Sequence, residues 1–315
     1  MNIKKAVITA AARGERLYPV ADTVQKAMLP MVDIDGINKP IIQIIAEEAI
    51  LSGIEEIGVI CAPGDENRYI ESFKALQATL TKAFKSDWAQ VQASNIKNLL
   101  ERITFIVQNE PHGYGHAVYQ AKDFVNNEPF LLLLGDYLYV SDIIDKRCAQ
   151  QLIEIANRED CSVSAVNPTI EHMIGKYGTL TGKSVINYKG VYQIEKIIEK
   201  PSVSLAELEL QTPGLRAGYY LCFFGMHVFK PFLFELLGNK CSKMGDNHIL
   251  LTPVLQELAQ NDKYLAMEMK GNRFDTSKKL GLMEAQIALG LSGNTRDEVL
   301  SSIIQILAES GKQYL

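Results

Sequence analysis

Short apolar runs alternate with helix-patterned segments through the first half of the chain, and this alternation restricts the fold more than any other feature. Four runs have the length and composition of buried strands: 6–10, 57–61, 103–107 and 130–134. Three segments between them carry apolar residues at helical spacing: 40–51, 69–84 and 116–125. Strands that are apolar throughout and alternate with helices predict an α/β fold. The expected sheet is Rossmann-like and mostly parallel, with helices on both faces.

The pattern changes after residue 160. Three runs look like strands but are joined by loops rich in glycine and lysine: 161–166, 191–198 and 219–224. This pattern predicts a small mixed or antiparallel extension of the sheet around a second pocket. Helical spacing returns at 246–260 and 276–291. The polar segment 85–102 is interpreted as an excursion from the core.

The C-terminal stretch 295–309 is amphipathic, with leucine and isoleucine residues on one face. Such a face either packs against the core or contacts another subunit, which makes a homo-oligomer an expectation. No long linker or low-complexity tract divides the rest of the chain. We expect one domain over 1–291, with halves at about 1–160 and 161–291, followed by a C-terminal helix within 292–315.

The composition argues against several classes of protein. A chain of 315 residues that is 47% hydrophobic is long enough for a large core. Its formal charge of −5 argues against a nucleic-acid-binding protein, which would carry a basic face. The five cysteines form no Cys-x-x-Cys pair, so neither a disulfide framework nor a zinc site is expected. The sequence has no signal-peptide pattern and no apolar window of membrane-spanning length, which predicts a cytoplasmic protein without membrane contact.

The loop after the first strand is a candidate anion-binding site. It contains small residues, Gly14 and the cations Arg13 and Arg16, and Lys26 follows at a distance that a folded loop can bridge. Backbone N–H groups in such a turn can face an anion, and the cations suit a triphosphate. An ordinary solvated turn explains the same composition equally well.

The segment 108–117 joins a strand to a helix through two glycines, the first of which is Gly113. Glycines let a flat ring lie close to the backbone, and the Gln108 amide offers a donor and an acceptor that suit the edge of a nucleobase. A plain strand–helix connection is the equal alternative. His112 and His116 are interpreted as structural or ligand-adjacent, because no further His or Cys lies at metal-liganding spacing.

Two carboxylates are candidates for binding a metal ion. Asp136 follows an apolar strand, and Asp275 lies just before a helical segment. Mg²⁺ often takes one or two carboxylates together with phosphate oxygens, but each aspartate could instead cap a helix. At the end of a further strand, Glu199 could accept hydrogen bonds from hydroxyl groups and Lys200 could bind a phosphate. The alternative for this pair is a surface charge pair.

The order of these motifs along the chain is more specific than any one of them. The sequence contains, in order, Ala-Ala-x-Gly-x-Arg-Leu-x-Pro, Lys-x-Met-Leu-Pro, Gln-x4-Gly-x-Gly-His-Ala, Gly-Asp, Lys-Tyr-Gly, Glu-Lys-Pro and Phe-Asp. This set resembles the bacterial UTP–glucose-1-phosphate uridylyltransferases, which belong to the sugar-phosphate nucleotidyltransferase family. The resemblance covers residues 4–291. It implies a Rossmann-like domain in which UTP and glucose 1-phosphate meet in one cleft and give UDP-glucose and pyrophosphate with the help of Mg²⁺.

The resemblance also implies a role for individual residues. The nucleotide would be bound by Ala11, Ala12, Gly14, Gln108 and Gly113. The triphosphate would be neutralised, and the reaction promoted, by Arg16 and Lys26. Mg²⁺ would be held by Asp136 and Asp275. The sugar and its phosphate would be bound by Gly178, Glu199 and Lys200.

Several positions depart from the family pattern. The chain has Ala12 in place of glycine, Glu15 in place of threonine, Ala27 in place of an acid, His112 in place of lysine, and an insertion at 33–39. These departures leave two alternatives open. One is a related transferase that uses another base or sugar phosphate, and the other is a catalytically weak homologue that binds a nucleotide-sugar.

Overall fold

Strands and helices alternate through most of the residues that the computed structural model describes, which are 1–12, 24–186, 188–243 and 248–310. The strands are β1 Lys5–Thr9, β2 Pro30–Val32, β3 Asn38–Pro40, β4 Glu56–Cys61, β5 Ile103–Val107, β6 Phe130–Leu134, β7 Tyr137–Ser141, β8 Ser162–Ile170, β9 Gly178–Ser184, β10 Val191–Glu199, β11 Tyr219–Phe229, β12 Tyr264–Glu268 and β13 Gly271–Asp275. The helices are α1 Ile41–Ile50, α2 Asp65–Ala83, α3 Asp87–Arg102, α4 Tyr114–Tyr119, α5 Lys122–Val125, α6 Cys148–Glu159, α7 Val203–Glu209, α8 Phe232–Cys241, α9 Leu251–Asn261, α10 Gly281–Ser292 and α11 Arg296–Ser310.

Four strands of the first half form the parallel part of the sheet. β1 lies between β4 and β6, and β5 pairs with β4, all in parallel. Thr9 is opposite both Ile60 and Leu134, and Cys61 is opposite Val107, so these strands end at one edge. The parallel arrangement predicted from the apolar runs is therefore confirmed. The loops after β1, β5 and β6 therefore begin at that edge, where ligands bind in sheets of this kind.

The second half of the chain continues the same sheet. β6 pairs antiparallel with β11, and the strand order is β5-β4-β1-β6-β11-β8-β12-β10-β9. β11 pairs antiparallel with β8, and β10 pairs antiparallel with both β12 and β9. β12 and β8 form a parallel pair. The mixed α/β fold is confirmed. The extension is broader than the sequence pattern suggests, because β9 and β12 also join it.

Residues 87–102 form a helix and not an excursion from the core. One side of α3 is buried together with α2 through Ala89, Ala93, Ile96 and Leu99. Steps of three or four residues place these side chains on one helical face. The polar residues that dominate the segment lie on the remaining surface, which is why composition alone suggests the wrong environment.

A two-stranded ribbon lies outside the large sheet. β7 pairs antiparallel with β13, and Tyr137 is opposite Asp275 in the register. The backbone N–H and the hydroxyl of Thr276 both donate to the carbonyl oxygen of Asp136, at 2.9 and 2.8 Å. The ribbon therefore brings Asp136 next to Asp275, although the two aspartates are far apart in sequence.

The insertion at 33–39 forms part of a hairpin, β2–β3, that is tied to α1 by charge. Lys39 Nζ lies 2.8 Å from Asp33, 2.6 Å from Asp35 and 2.7 Å from Glu47. Burial alone would lower the pKa of Lys39, but the carboxylates outweigh it and the pKa is raised. The lysine thus stays charged and holds the hairpin against the helix.

The C-terminal helix α11 packs against α10 near its first turn, where Val299 contacts Gly290. None of the described residues of α11 is buried, and Leu300, Ile304 and Leu307 are exposed. Packing against the core therefore does not cover the apolar face. Among the described helices, none is both long and apolar enough to span a membrane.

Three polar side chains meet inside the extension of the sheet. Ser164 on β8 forms hydrogen bonds with Nδ1 of His227 on β11 and with the hydroxyl of Tyr264 on β12. The imidazole stacks on Phe229, with 5.2 Å between ring centroids, and His227 is only 4% exposed. Burial lowers the pKa of His227 from 6.5 to about 3. The imidazole is therefore neutral at physiological pH.

We expect His227 to make the protein less stable in mild acid. Between pH 6.5 and about 3 the unfolded chain binds a proton at this site and the folded chain does not, so stability falls as pH falls through that window. The free energy of unfolding of the wild type, relative to His227→Gln, should drop by about 1.4 kcal/mol for each pH unit in this range. Urea unfolding at several pH values measures this difference. A difference that does not change with pH would contradict the assignment.

Candidate active site

One cleft at the carboxyl edge of the parallel strands brings together predicted site residues from both halves of the chain. It has a volume of about 370 Å³. Its walls include five of the residues singled out from the sequence: Asp136, Gly178, Glu199, Lys200 and Asp275. They come from the loop after β6, the ends of β9, β10 and β13, and the turn after β10. The two halves of the sheet therefore meet in this cleft.

Lys26 connects the cleft to a groove next to the predicted nucleotide-binding loop. The lysine begins a short 3-10 turn, is 9% exposed, and its Nζ lies 2.7 Å from Asp136 Oδ2. Ala12, Lys26 and Gly135 line the groove, and Ala11 lies partly buried against the neighbouring apolar core. An ordinary solvated turn does not describe Lys26, because its charge is buried and paired.

Most of the loop after β1 lies outside the described residues. Four residues of the sequence prediction lie outside the described residues: Arg13, Gly14, Glu15 and Arg16. The predictions for Gly14 and Arg16 therefore remain predictions from the sequence.

Neither of the two aspartates caps a helix. Asp136 precedes strand β7, and α10 begins at Gly281, beyond the reach of Asp275. Asp275 Oδ1 accepts hydrogen bonds from the backbone N–H of Ser277, at 3.0 Å, and from its hydroxyl. The helix-cap alternative is thus wrong for both residues.

A divalent cation fits this donor set. Asp136 and Asp275 are both carboxylate-bearing residues in the wall of the same cleft, and hard cations such as Mg²⁺ complete their coordination with phosphate oxygens and water. Lysines lie beside both carboxylates: Lys26 at 2.7 Å from Asp136, and Lys278 at 3.9 Å from Asp275. Within the described part of the chain no group of three or more His, Cys, Asp or Glu side chains could hold a metal ion alone. Oxygen atoms of a bound substrate would therefore have to complete the coordination of the metal ion.

The loop between β5 and α4 has the backbone geometry that a close approach requires. Gly113 has a φ of +97°, and a Cβ there would stand 2.7 Å from the carbonyl oxygen of Ile249. The Gln108 side chain is buried, and its Nε2 lies 3.1 Å from Nδ1 of His116 and 3.5 Å from the carbonyl oxygen of Gly113. The structure therefore brings Gln108 and Gly113 together, and His116 orients the amide.

The part of the cleft that the sequence predicts to bind the sugar phosphate is built from the antiparallel extension. Gly178 is opposite Glu199 in the β9–β10 register, and a Cβ on Gly178 would stand 3.1 Å from Glu199 Oε2. Thr252 at the start of α9 donates a hydrogen bond of 2.6 Å to the same oxygen. Lys200 has a φ of +46° and its Nζ lies 3.4 Å from Glu199 Oε1. The carboxylate is thus oriented and the ammonium group remains accessible.

Sequence reasoning missed Tyr177 in the wall of the cleft and the two cations that contact it, Arg273 and Lys278. The Arg273 guanidinium lies 4.3 Å from the centroid of the Tyr177 ring, and Lys278 Nζ donates to the Tyr177 hydroxyl at 3.1 Å. Burial raises the pKa of Tyr177, but the hydrogen bond from Lys278 and the charge of Arg273 outweigh it, so the pKa falls below its usual value. The Lys-Tyr-Gly and Phe-Asp motifs flank these residues, but only the fold shows that the motifs meet.

Comparison with known proteins agrees with this geometry. A family model described as nucleotidyl transferase matches residues 5–289. The chain belongs to this family. A UTP–glucose-1-phosphate uridylyltransferase from Streptococcus pneumoniae serotype 4 is 33% identical over 312 residues, which cover 97% of this chain and 96% of that protein.

Solved structures of other proteins are also similar to this nucleotidyl transferase. A UDP-glucose pyrophosphorylase complexed with UDP-glucose is 28% identical, with a TM-score of 0.72, and the match covers 91% of this chain and 98% of that one. A UTP-bound UGPase from Acinetobacter baumannii is 25% identical, with a TM-score of 0.76, and the match covers 96% and 99%. The similarity therefore extends over both halves of the sheet.

We expect the buried Lys26 and its half-buried partner Asp136 to be strongly coupled. In the absence of metal, Lys26→Met or Asp136→Asn should each lower the free energy of unfolding by about 2 kcal/mol, because each change leaves one charge without its partner. The double variant should lose less than the sum of the two. Urea unfolding measures these values, and the exposed pair Lys4–Glu55, at 2.6 Å, is the matched control, for which we expect a much weaker coupling because solvent screens both charges. Additive effects at Lys26 and Asp136 would contradict the coupling.

Proposed function

We propose that this nucleotidyl transferase is a UTP–glucose-1-phosphate uridylyltransferase that forms UDP-glucose and pyrophosphate. The observation that carries the proposal is the shared cleft. Its wall contains Asp136, Asp275, Gly178, Glu199 and Lys200, and Lys26 contacts Asp136. Its relatives over nearly the full length carry this activity in their names, and one solved relative is bound to UDP-glucose.

The reaction that we propose is an in-line displacement at the α-phosphorus. A phosphate oxygen of glucose 1-phosphate forms a bond to the α-phosphorus of UTP, and the bond from that phosphorus to the bridging oxygen of the β-phosphate breaks. Pyrophosphate leaves with the electron pair. The attacking oxygen is already anionic, so no covalent enzyme intermediate is needed. Positioning two anions and neutralising their charge are the main tasks of the protein.

The cations of the cleft perform the neutralisation in this proposal. The Lys26 ammonium has three N–H donors, so it can bind a phosphate oxygen while it still contacts Asp136. Arg16 adds a second charge to the triphosphate. Lys200 binds the phosphate of the sugar, because its Nζ is accessible and close to Glu199. Lys26 and Arg16 are accordingly the residues to which we assign catalysis.

The nucleotide and the sugar are recognised by different loops in this proposal. Ala11, Ala12 and Gly14 face the nucleotide at the end of β1, and Gln108 with Gly113 contacts the edge of the uracil. On the other side, Glu199 accepts hydrogen bonds from sugar hydroxyls. Gly178 leaves space for the ring, since any larger residue would meet Glu199 and Phe223. The halves 1–160 and 161–291 thus correspond to the two substrates.

Asp136 and Asp275 hold the divalent cation in this proposal, and we propose Mg²⁺. When bound, the cation withdraws charge from the phosphate oxygens and favours attack at phosphorus. Ser277 keeps the Asp275 carboxylate oriented, and Lys278 supplies a positive charge beside it. These residues hold the ligands in place for the phosphates.

Two further features belong to the proposal. The exposed apolar side chains of α11 support self-association, so we propose a homo-oligomer. The five cysteines are free thiols, and four of them are buried. Because thiols remain reduced in the cytoplasm, we propose that the protein is located there.

We expect pyrophosphate release from UTP and glucose 1-phosphate only in the presence of Mg²⁺. Asp136→Ala and Lys26→Ala should each reduce kcat by at least about 100-fold, since each removes charge stabilisation from the reacting phosphates. Asp142→Ala is the control, because Asp142 is exposed just beyond the other end of β7. A coupled pyrophosphate assay measures all three, with circular dichroism as a check on folding.

A substrate panel decides between the proposal and its alternatives. UTP, dTTP, GTP and ATP are each tested with several sugar 1-phosphates, and the highest kcat/KM should belong to UTP with glucose 1-phosphate. Preference for another pair would contradict the proposed substrates. Tight binding of UDP-glucose without turnover of any pair would contradict catalysis.

A further inference from the structure

His227 lines the cleft from inside the sheet, although no motif in the sequence marks it. Its ring lies between Phe229, with centroids 5.2 Å apart, and Phe223, with centroids 5.3 Å apart. Phe223 in turn contacts Gly178, where a Cβ would stand 2.8 Å from its ring. His227 is therefore connected to the sugar-phosphate side of the cleft through a single aromatic side chain.

Hydrogen-bond donors determine the tautomer of this imidazole. Within the described residues, the Tyr264 hydroxyl has Ser164 Oγ as its hydrogen-bond partner, so the phenol donates and the serine oxygen accepts. The Ser164 hydroxyl is then free to donate to His227 Nδ1. In the reverse direction the buried Tyr264 O–H would have no acceptor, which costs free energy. Nδ1 is thus an acceptor, and the proton of the neutral ring sits on Nε2.

The Nε2–H group remains available to a molecule in the cleft. In the part of the chain that the structure describes, no side chain or backbone group forms a hydrogen bond with His227 Nε2. Among the described residues, the solvent-inaccessible side-chain atoms that lack a hydrogen-bond partner are Glu66 Oε2 and Tyr114 Oη. His227 Nε2 is not among them, so this atom is not cut off from solvent. Because His227 also lines the cleft, its Nε2–H edge has access to that space.

We infer that His227 is a specificity-determining residue whose Nε2–H donates a hydrogen bond to an oxygen of the sugar in the bound sugar phosphate. This inference rests on the proposed function. Glu199 can only accept hydrogen bonds when ionised, whereas His227 in this tautomer can only donate at Nε2. The two side chains therefore offer complementary partners to a ligand rich in hydroxyl groups. The neutral ring adds this donor without adding a charge next to the cationic phosphate-binding residues.

Nuclear magnetic resonance tests the tautomer independently of activity. Long-range ¹H–¹⁵N spectra of the full chain labelled at histidine should show His227 protonated on Nε2 and not on Nδ1. The signal should not titrate between about pH 6 and 8. Protonation on Nδ1, or a pKa within that range, would overturn the inference whether or not the protein makes UDP-glucose.

Two substitutions at one position test the role in binding. His227→Gln keeps an amide N–H donor near the position of Nε2, and His227→Phe removes the donor but keeps an aromatic ring. We expect His227→Phe to raise the KM for glucose 1-phosphate at least about tenfold with little change in the KM for UTP, and His227→Gln to restore most of the loss. Ser164→Ala, outside the cleft, should raise the same KM by a smaller factor because the ring loses its anchor.

The outcomes separate the two proposals. If the wild type is active and the KM for glucose 1-phosphate is the same in His227→Phe, the inference about His227 is wrong and the proposed function stands. If the wild type makes no UDP-glucose but turns over another sugar phosphate, the proposed substrate is wrong. The same KM comparison is then made with the sugar phosphate that reacts, and an unchanged KM there overturns the inference. Equal increases in the KM for both substrates, with a lower unfolding midpoint, would indicate a structural role and also overturn it.

Discussion

The antiparallel pairing of β7 with β13 is the interaction on which the candidate active site depends. The large sheet ends β1, β5 and β6 at one edge, but of the two carboxylates predicted to bind a metal ion the loops at this edge supply only Asp136, which follows β6. The ribbon adds the second, because Tyr137 and Asp275 are opposite each other and Thr276 binds the carbonyl oxygen of Asp136. A change that separated these strands would divide the carboxylate pair even if the sheet remained intact.

Charge compensation explains how a site with this many ionised groups stays ordered. Lys26 is paired with Asp136 inside the protein, Lys278 lies between Asp275 and Tyr177, and Thr252 orients Glu199. Each carboxylate in the cleft has a positive or hydrogen-bonding neighbour, so none is left isolated at a cost in desolvation. Polar groups fixed in advance are also those that contribute most to the stabilisation of a transition state.

Much of the fold and part of the site could be predicted from the sequence. Strands that are buried on both faces are apolar throughout, so β1, β4, β5 and β6 were predictable, and their parallel arrangement places the loops at one edge. The helix α3 was not recognised, because its buried face is narrow and its composition is polar. The place of Lys26 beside Asp136 also follows from the fold and not from a local pattern. Contacts between segments that are far apart in sequence cannot be predicted from a local pattern. Examples are the contact of Tyr177 with Lys278 and the contacts of His227 with Ser164 and Tyr264.

Binding of a paramagnetic divalent ion tests most directly whether Asp136 and Asp275 form one site. Electron paramagnetic resonance of Mn²⁺ in the presence of UTP should detect a single tightly bound ion per chain, and this binding should be lost in both Asp136→Asn and Asp275→Asn but kept in Asp142→Asn. Unchanged binding of Mn²⁺ in either of the first two variants would contradict the account, because the β7–β13 ribbon would then not be what creates the site.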